Sequence, residues 1–182
     1  NDASIVVDLE HRDKLLESEL YLSSDSMIMG KRISQSWAQK QYFYFCITLS
    51  SAYDVQFNDD SIPTKAILKL RESKDDVLVK VGVSTVSAES ARNNLALEAP
   101  HWNFNEYKLN AKSSWRKELQ KINIKSSADS VKTIFYTSLY HSIIAPNLMS
   151  DVNGLYRGTD LKIHEDSVPN YTVFSLWDTF RA

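Results

Sequence analysis

The sequence predicts an α+β fold, with an antiparallel β-sandwich first and helices after it. Three observations carry this. Residues 1–86 are a succession of short apolar runs, β-branched or alternating, with no helical period between most of them. From residue 87 to 145 the apolar positions fall three and four apart, the stripe of an amphipathic helix. Hydrophobic residues make up 43% and charged residues 24% of the 182, enough apolar side chains for a substantial core.

The strand half reads in order as follows. Ser4–Leu9 is apolar and β-branched, and Glu19–Met29 alternates weakly, as one strand. Gln41–Ser51 is aromatic and β-branched, with Tyr42, Phe43, Tyr44, Phe45, Ile47, Thr48 and Leu49. Ala66–Glu72 alternates around Ile67 and Leu70. In Asp76–Val86 the valines 77, 79, 81 and 83 fall at spacing two. Lys74-Asp75-Asp76 is a turn signal, so Ala66–Val86 is expected to be a hairpin.

The helical half opens at Ser87, a capping residue, and its first helix stops at Glu98 before Pro100. A second helix is expected from Phe104 to Ile122, with Phe104, Tyr107, Ala111, Trp115, Leu119 and Ile122 on one stripe. Ser126 and Asp129 have capping-box form, and the helix behind them carries Val131, Ile134, Phe135, Leu139 and Ile143 to a stop before Pro146. Asp151-Val152-Asn153-Gly154 is a turn, with Asn-Gly supplying positive φ. Leu155–His164 reads as a short strand or hairpin arm, and Glu165–Asn170 as a polar stretch. Tyr171–Ala182 is apolar and aromatic and runs out with no helix cap, which reads as a truncated element.

Composition excludes several classes. Lys plus Arg number 21 and Asp plus Glu 23, a net charge of −2, so the basic footprint of a nucleic-acid-binding protein is absent and no nucleic-acid partner is expected. No apolar run reaches the ~18–20 residues of a membrane span. Cys46 is the single cysteine, which leaves no internal disulfide or multi-cysteine zinc site. Its place in an apolar run reads as a small core residue. Residues 1–9 have neither the basic nor the apolar region of a signal peptide and do not start with Met, so the chain is read as a mature start or a piece of something longer.

Local motifs for chemistry are few. His11, His101, His141 and His164 lie far apart, none at metal-ligand spacing, so no metal ligand is assigned. His141 reads as a satisfied core or boundary residue, and His164, beside Glu165 and Asp166, as part of a solvated loop. Asp151-x-Asn153-Gly154 is not a calcium loop, which needs Gly sixth and Glu twelfth; here Gly154 is fourth and Lys162 twelfth. No phosphate-binding glycine loop or Gly-x-Ser-x-Gly elbow is present, and Cys46 has no basic neighbour to activate it. The suggestive group is Trp177-Asp178-Thr179-Phe180-Arg181. A ring offers an apolar face to a sugar, and a carboxylate accepts from two adjacent hydroxyls. The same spacing is also that of an ordinary helix-surface pair.

These motifs resemble a known family. Residues 133–141 (Thr-Ile-Phe-Tyr-Thr-Ser-Leu-Tyr-His), 145–158 (Ala-Pro-Asn-Leu-Met-Ser-Asp-Val-Asn-Gly-Leu-Tyr-Arg-Gly) and 171–182 (Tyr-Thr-Val-Phe-Ser-Leu-Trp-Asp-Thr-Phe-Arg-Ala) are similar to glycoside hydrolase family 92, the bacterial exo-α-mannosidases. Ser36-Trp37-Ala38 and Val79–Ser84 leading into Ala91–Leu95 resemble it too, so the likeness runs in order over nearly the whole chain. Asn153 and Leu155 depart from it, standing where the family often has Asp and a basic residue.

The resemblance implies a division into residues 1–86, the later part of a β-sandwich; 87–125, a helical linker; and 126–182, the first elements of an (α/α)6 catalytic barrel. It implies calcium-dependent, inverting hydrolysis of terminal α-mannosides in mannose-containing glycans, with Ca2+ held outside this chain. Inversion needs an acid and a base about 6.5–9.5 Å apart. The resemblance places both beyond Ala182, so no catalytic residue is assigned and the chain alone is expected to be inactive. It places Trp177 and Asp178 in the subsite for the terminal mannose, with Arg181 orienting Asp178. It also implies export to the periplasm or cell surface. Linkage preference and oligomeric state are not read from these residues. The competing reading is a non-catalytic carbohydrate-binding sandwich with a helical appendage, which needs Trp37, Tyr42 and Tyr44 to form one exposed platform.

Overall fold

The computed structural model describes residues 3–23, 26–71 and 76–172. These fall into two compact units. The first runs to Trp102 and takes in Ser150–Val168; the second holds Asn103–Met149 and the segment from Pro169.

The first unit holds two antiparallel sheets. Strands β1 (Ser4–Asp8), β5 (Tyr53–Phe57) and β6 (Lys65–Leu70) form a three-stranded sheet in the order β1-β6-β5. Strands β2 (Lys14–Leu22), β3 (Ile28–Gln35), β4 (Gln41–Leu49) and β7 (Val79–Ser84) form the other, in the order β2-β3-β4-β7. The core between them packs Leu20, Ile28, Phe45 and Leu49 of the larger sheet against Ala66 and Leu68 of the smaller, with Leu9 beside them. Side chains alternate across a strand, so Phe45 and Leu49 point inward while Cys46 points to the other face. There Cys46 and Met29 meet Ala91 and Leu95 of helix α1 (Ala88–Glu98). The fold is α+β, with a sandwich one face of which is closed by a helix.

Helix α1 begins and ends where its sequence predicts. The Ser87 side chain accepts from the Ser90 N–H at 3.0 Å, and the helix stops at the residue pair before Pro100. Lys80 holds its exit, donating to the Ala99 carbonyl at 2.6 Å and sitting 4.1 Å from the Trp102 ring centroid.

Three strand expectations are corrected. Glu19–Met29 is not one strand: β2 and β3 pair across a reversal in which the Ser23 hydroxyl accepts from the Met27 N–H and Ser26 takes φ 57°. A serine-rich stretch makes such a turn with its own hydroxyls. β5 was not expected at all, being only five residues between polar ones. The expected hairpin Ala66–Val86 does not form, because β6 pairs with β1 and β5 whereas β7 pairs with β4 in the other sheet. Alternation marks a strand but not its partner.

The first unit closes with a hairpin of β8 (Leu155–Arg157) and β9 (Ile163–Glu165). The second unit holds α2 (Phe104–Leu119) and α3 (Asp129–Ile143). Asn103 caps α2, accepting from the Glu106 N–H, and Trp115 meets Tyr140 edge-on with ring centroids 4.5 Å apart. The expected capping box on α3 is absent: its N-cap is Ala128 with no side-chain bond, and the Ser126 hydroxyl accepts instead from the Ala128 N–H. The helix thus starts at Asp129, two residues later than a Ser126 cap requires. No helix among the described residues is long and apolar enough to cross a membrane.

Candidate functional site

Residues distant in sequence converge on Asp151, at the start of the turn before β8. Its carboxylate is buried, with one oxygen accepting from the Ser84 hydroxyl at 2.7 Å and the other from the Asn94 side-chain amide at 2.7 Å. Ser84 ends β7 and Asn94 lies on the sheet-facing side of α1, so sheet, helix and turn meet at one carboxylate. Asn94 also donates to the Val83 carbonyl and accepts from the Val152 N–H at 3.0 Å. The turn itself closes through the Gly154 N–H on the Asp151 carbonyl at 2.9 Å, with Gly154 at φ +83°. A side chain there would be strained, and its Cβ would also press on the Asp166 carbonyl.

A second tie follows at Arg157. Its guanidinium donates to the Thr85 carbonyl at 2.8 Å and to the Leu161 carbonyl at 2.6 Å, and lies 3.9 Å from the Tyr42 ring centroid. Planar, always charged and forked, Arg can stack and donate at once. Chemically the two ties form a clamp. Both Asp151 oxygens serve protein donors, which fixes the turn against the sandwich. The sequence had shown the turn but not the burial of Asp151, because Ser84 and Asn94 lie 67 and 57 residues away.

The histidines stay apart. His164 contacts Asp160 at 2.9 Å and stacks near Tyr156 on the exposed hairpin, as expected of a solvated loop. The His164 hydrogen bond holds the Asp160 carboxyl below its ordinary value. His141 corrects its expectation: it is exposed in the last turn of α3 rather than a core or boundary residue. Cys46 is fully buried as expected, and burial pushes its thiol pKa up, away from nucleophile chemistry. Among the described residues no group of three or more His, Cys, Asp or Glu is placed to hold a metal.

Trp177, Asp178 and Arg181 lie outside the described residues. The three aromatics that a binding platform would need do not share one open face. Trp37 is 98% exposed, while Tyr42 and Tyr44 are half-buried and the Tyr42 ring is covered by Arg157.

Comparison with known proteins adds the following. Residues 90–182 match a family model described as the glycosyl hydrolase family 92 catalytic domain. The whole chain superposes on a family GH92 alpha-mannosidase from Bacteroides thetaiotaomicron with TM-score 0.88 and 31% identity, covering 100% of this chain and 27% of that one. The same enzyme in complex with mannoimidazole matches with TM-score 0.87 and 32% identity over the same shares. A family GH92 inverting mannosidase of that organism shares the fold, at TM-score 0.78, 21% identity, and 100% and 27% coverage. A secreted glycosidase of Arthroderma benhamiae is 28% identical over 88 residues, 46% of this chain and 11% of its own length. The chain therefore spans 27% of these solved relatives and a smaller share of the curated one.

Proposed function

The chain belongs to glycosyl hydrolase family 92, and on that premise we propose that it is part of an exo-α-mannosidase that removes terminal mannose from glycans with inversion. The observation that carries this is the superposition of the whole chain on an alpha-mannosidase at 31% identity. The complex of that enzyme with mannoimidazole supports a mannose-shaped subsite. The description of the Arthroderma relative as secreted supports export; the periplasm or cell surface as its destination is part of this proposal.

In this reading residues 1–86 are the later part of the sandwich, 87–125 the linker and 126–182 the first part of the catalytic domain. Trp177 and Asp178 bind the terminal mannose. The Asp178 carboxylate accepts from two adjacent hydroxyls, the Trp177 ring packs on an apolar sugar face, and Arg181 orients Asp178. In an inverting hydrolase a carboxylic acid protonates the leaving oxygen while a carboxylate, about 6.5–9.5 Å away, activates water on the opposite face. Neither role is assigned to a residue of this chain. Calcium, a hard cation with an affinity for vicinal hydroxyls, would supply charge stabilisation and ring distortion. The described residues offer no ligand group for it, and its ligands are to be sought elsewhere in the protein.

The test is hydrolysis of an aryl α-mannoside and of α-linked mannobioses by the full-length gene product, with the anomer formed followed by NMR. We expect β-mannose as first product, loss of activity on chelation and its return with calcium, and no turnover by residues 1–182 alone. α-Mannose as first product would remove inversion. Activity that survives complete chelation would remove calcium, and inactivity on every mannoside would remove the substrate class.

A further inference from the structure

Between α3 and the Trp177-Asp178 motif the chain makes an excursion whose two ends are tied together. It leaves at Asn147–Met149 and returns at Asn170–Thr172. The Met149 N–H donates to the Asn170 carbonyl at 2.9 Å and the Thr172 N–H to the Asn147 carbonyl at 2.9 Å. The Asn147 N–H donates to the Thr172 hydroxyl at 2.9 Å, and Leu148 bridges Tyr171 in antiparallel fashion. Inside, the excursion is held by its own bonds. β8 pairs with β9, the Asp151 N–H donates to the Leu155 carbonyl at 2.8 Å, and the Asp166 N–H to the Gly154 carbonyl at 3.1 Å. It is docked twice, by Asp151 on Ser84 and Asn94 and by Arg157 on Thr85 and Tyr42. Little slack separates the docked part from the tied ends. Ser150 alone stands between Met149 and Asp151, and Pro169, whose ring fixes φ, comes directly before Asn170. Trp177 and Asp178 follow Thr172 on the returning stretch.

We infer that Asp151 and Arg157 are positioning residues for the mannose subsite: by pinning the excursion to the sandwich, they set where the stretch carrying Trp177 and Asp178 starts out. This rests on the proposed function, in which those two residues bind the terminal mannose. Neither Asp151 nor Arg157 is asked to touch the sugar; each acts through the backbone at Met149 and Asn170. A carboxylate with both oxygens taken by protein donors is held to one place, and a stacked guanidinium that also donates to two carbonyls has few alternatives. An Asn-Gly turn closes without any of this. Burying a charge adds little net stability over an apolar contact, so its use at the root of the excursion points to fixing a place. The place matters because a hydrogen bond weakens steeply as its geometry departs, and a misplacement of about 1 Å at a reacting site costs up to ~100-fold in rate.

The test cuts each tie from the sandwich side, in the full-length gene product, so that no residue of the excursion changes. Ser84→Ala removes a donor to Asp151, and Tyr42→Leu removes the ring under Arg157. Tyr42→Phe keeps that ring. Ile28→Val, in the sandwich core, loses stability without touching either tie. The readout is kcat/KM for an aryl α-mannoside, well below each variant's unfolding temperature, with Asp178→Ala and the double variants alongside. A cut that fails to fold leaves the other to decide. We expect each cut to lower kcat/KM about three- to tenfold, and Tyr42→Phe and Ile28→Val to leave it within about twofold. Beside Asp178→Ala, the loss from either cut should shrink below about twofold, because the residue it misplaces is already gone. An unaltered kcat/KM in both cuts would overturn the inference and leave Asp178 in its subsite. So would a loss that stays undiminished beside Asp178→Ala, or one that Ile28→Val matches. A silent Asp178→Ala, or no hydrolysis of any mannoside, would remove the reading underneath and the inference with it.

Discussion

A carboxylate gives up strong hydration when it is buried, so a folded protein buries one only among donors. Asp151 meets that condition through Ser84 and Asn94. Asp151→Ala leaves a hydroxyl and an amide hydrogen without their acceptor, and each buried orphan costs about 1–3 kcal/mol. For the two together we expect a loss of about 2–6 kcal/mol in denaturant unfolding, with the β8–β9 hairpin loosened first in hydrogen exchange. Asp151→Asn, which keeps the shape and one acceptor oxygen, should lose less. Asp178 is a different kind of residue, marked by its neighbours Trp177 and Arg181 in a family motif. Under the proposed function, Asp178→Ala removes a charged acceptor worth about 1.5–3 kcal/mol. The full-length enzyme should then lose about 10- to 100-fold in kcat/KM with unfolding unchanged. An unaltered kcat/KM would take Asp178 out of the subsite.

At the scale of elements, β7 reverses the usual reading of an alternating strand. Its apolar positions are open and its small ones, Gly82 and Ser84, are buried. α1 lies so close that a Cβ at Gly82 would collide with the Ala91 carbonyl and come within 2.7 Å of the Leu95 Cβ. Gly82→Ala should therefore push α1 off the sheet and cost about 1–3 kcal/mol, the range of overpacking. Melting would show the loss, and faster labelling of Cys46 would place it under α1. A second contact joins the end of β1 to β6, where Lys65 bridges Glu10 at 2.9 Å and Asp8 at 3.6 Å. The Lys65 bond holds the Glu10 carboxyl below its ordinary 4.5, the Glu10 backbone N–H holds Asp8 below 3.8, and Glu10 raises Lys65 above 10.5. Lowered carboxyls lend stability that is full above their ordinary values and lost as pH falls through the lowered ones. The raised Lys65 lends stability that is full below 10.5 and lost as pH climbs through its raised value. Carboxyl NMR titration should find both acids below their ordinary values, and Lys65→Met should bring Glu10 back up.

At the scale of the whole molecule, two compact units carry the chain, and Ser150–Val168 returns to the sandwich unit after α2 and α3. That return explains how much was legible in advance. Strand and helix halves, the caps around α1, the buried Cys46 and the turn at Gly154 were readable, because period, capping and turn chemistry act between residues a few positions apart. The capping box at Ser126 misled because a hydroxyl near a helix start has more than one N–H within reach. The candidate sugar residues were legible only through the family motif, since a Trp beside an Asp has no period of its own. The sequence by itself thus determined the α+β class, the placing of strands before helices, and the family. Only the tertiary structure decided that β7 leaves β6 for β4, that its valines face an open layer, and that Asp151 is a buried clamp. Each of those rests on partners tens of residues away, and a local pattern carries no information about which distant backbone or side chain will meet it.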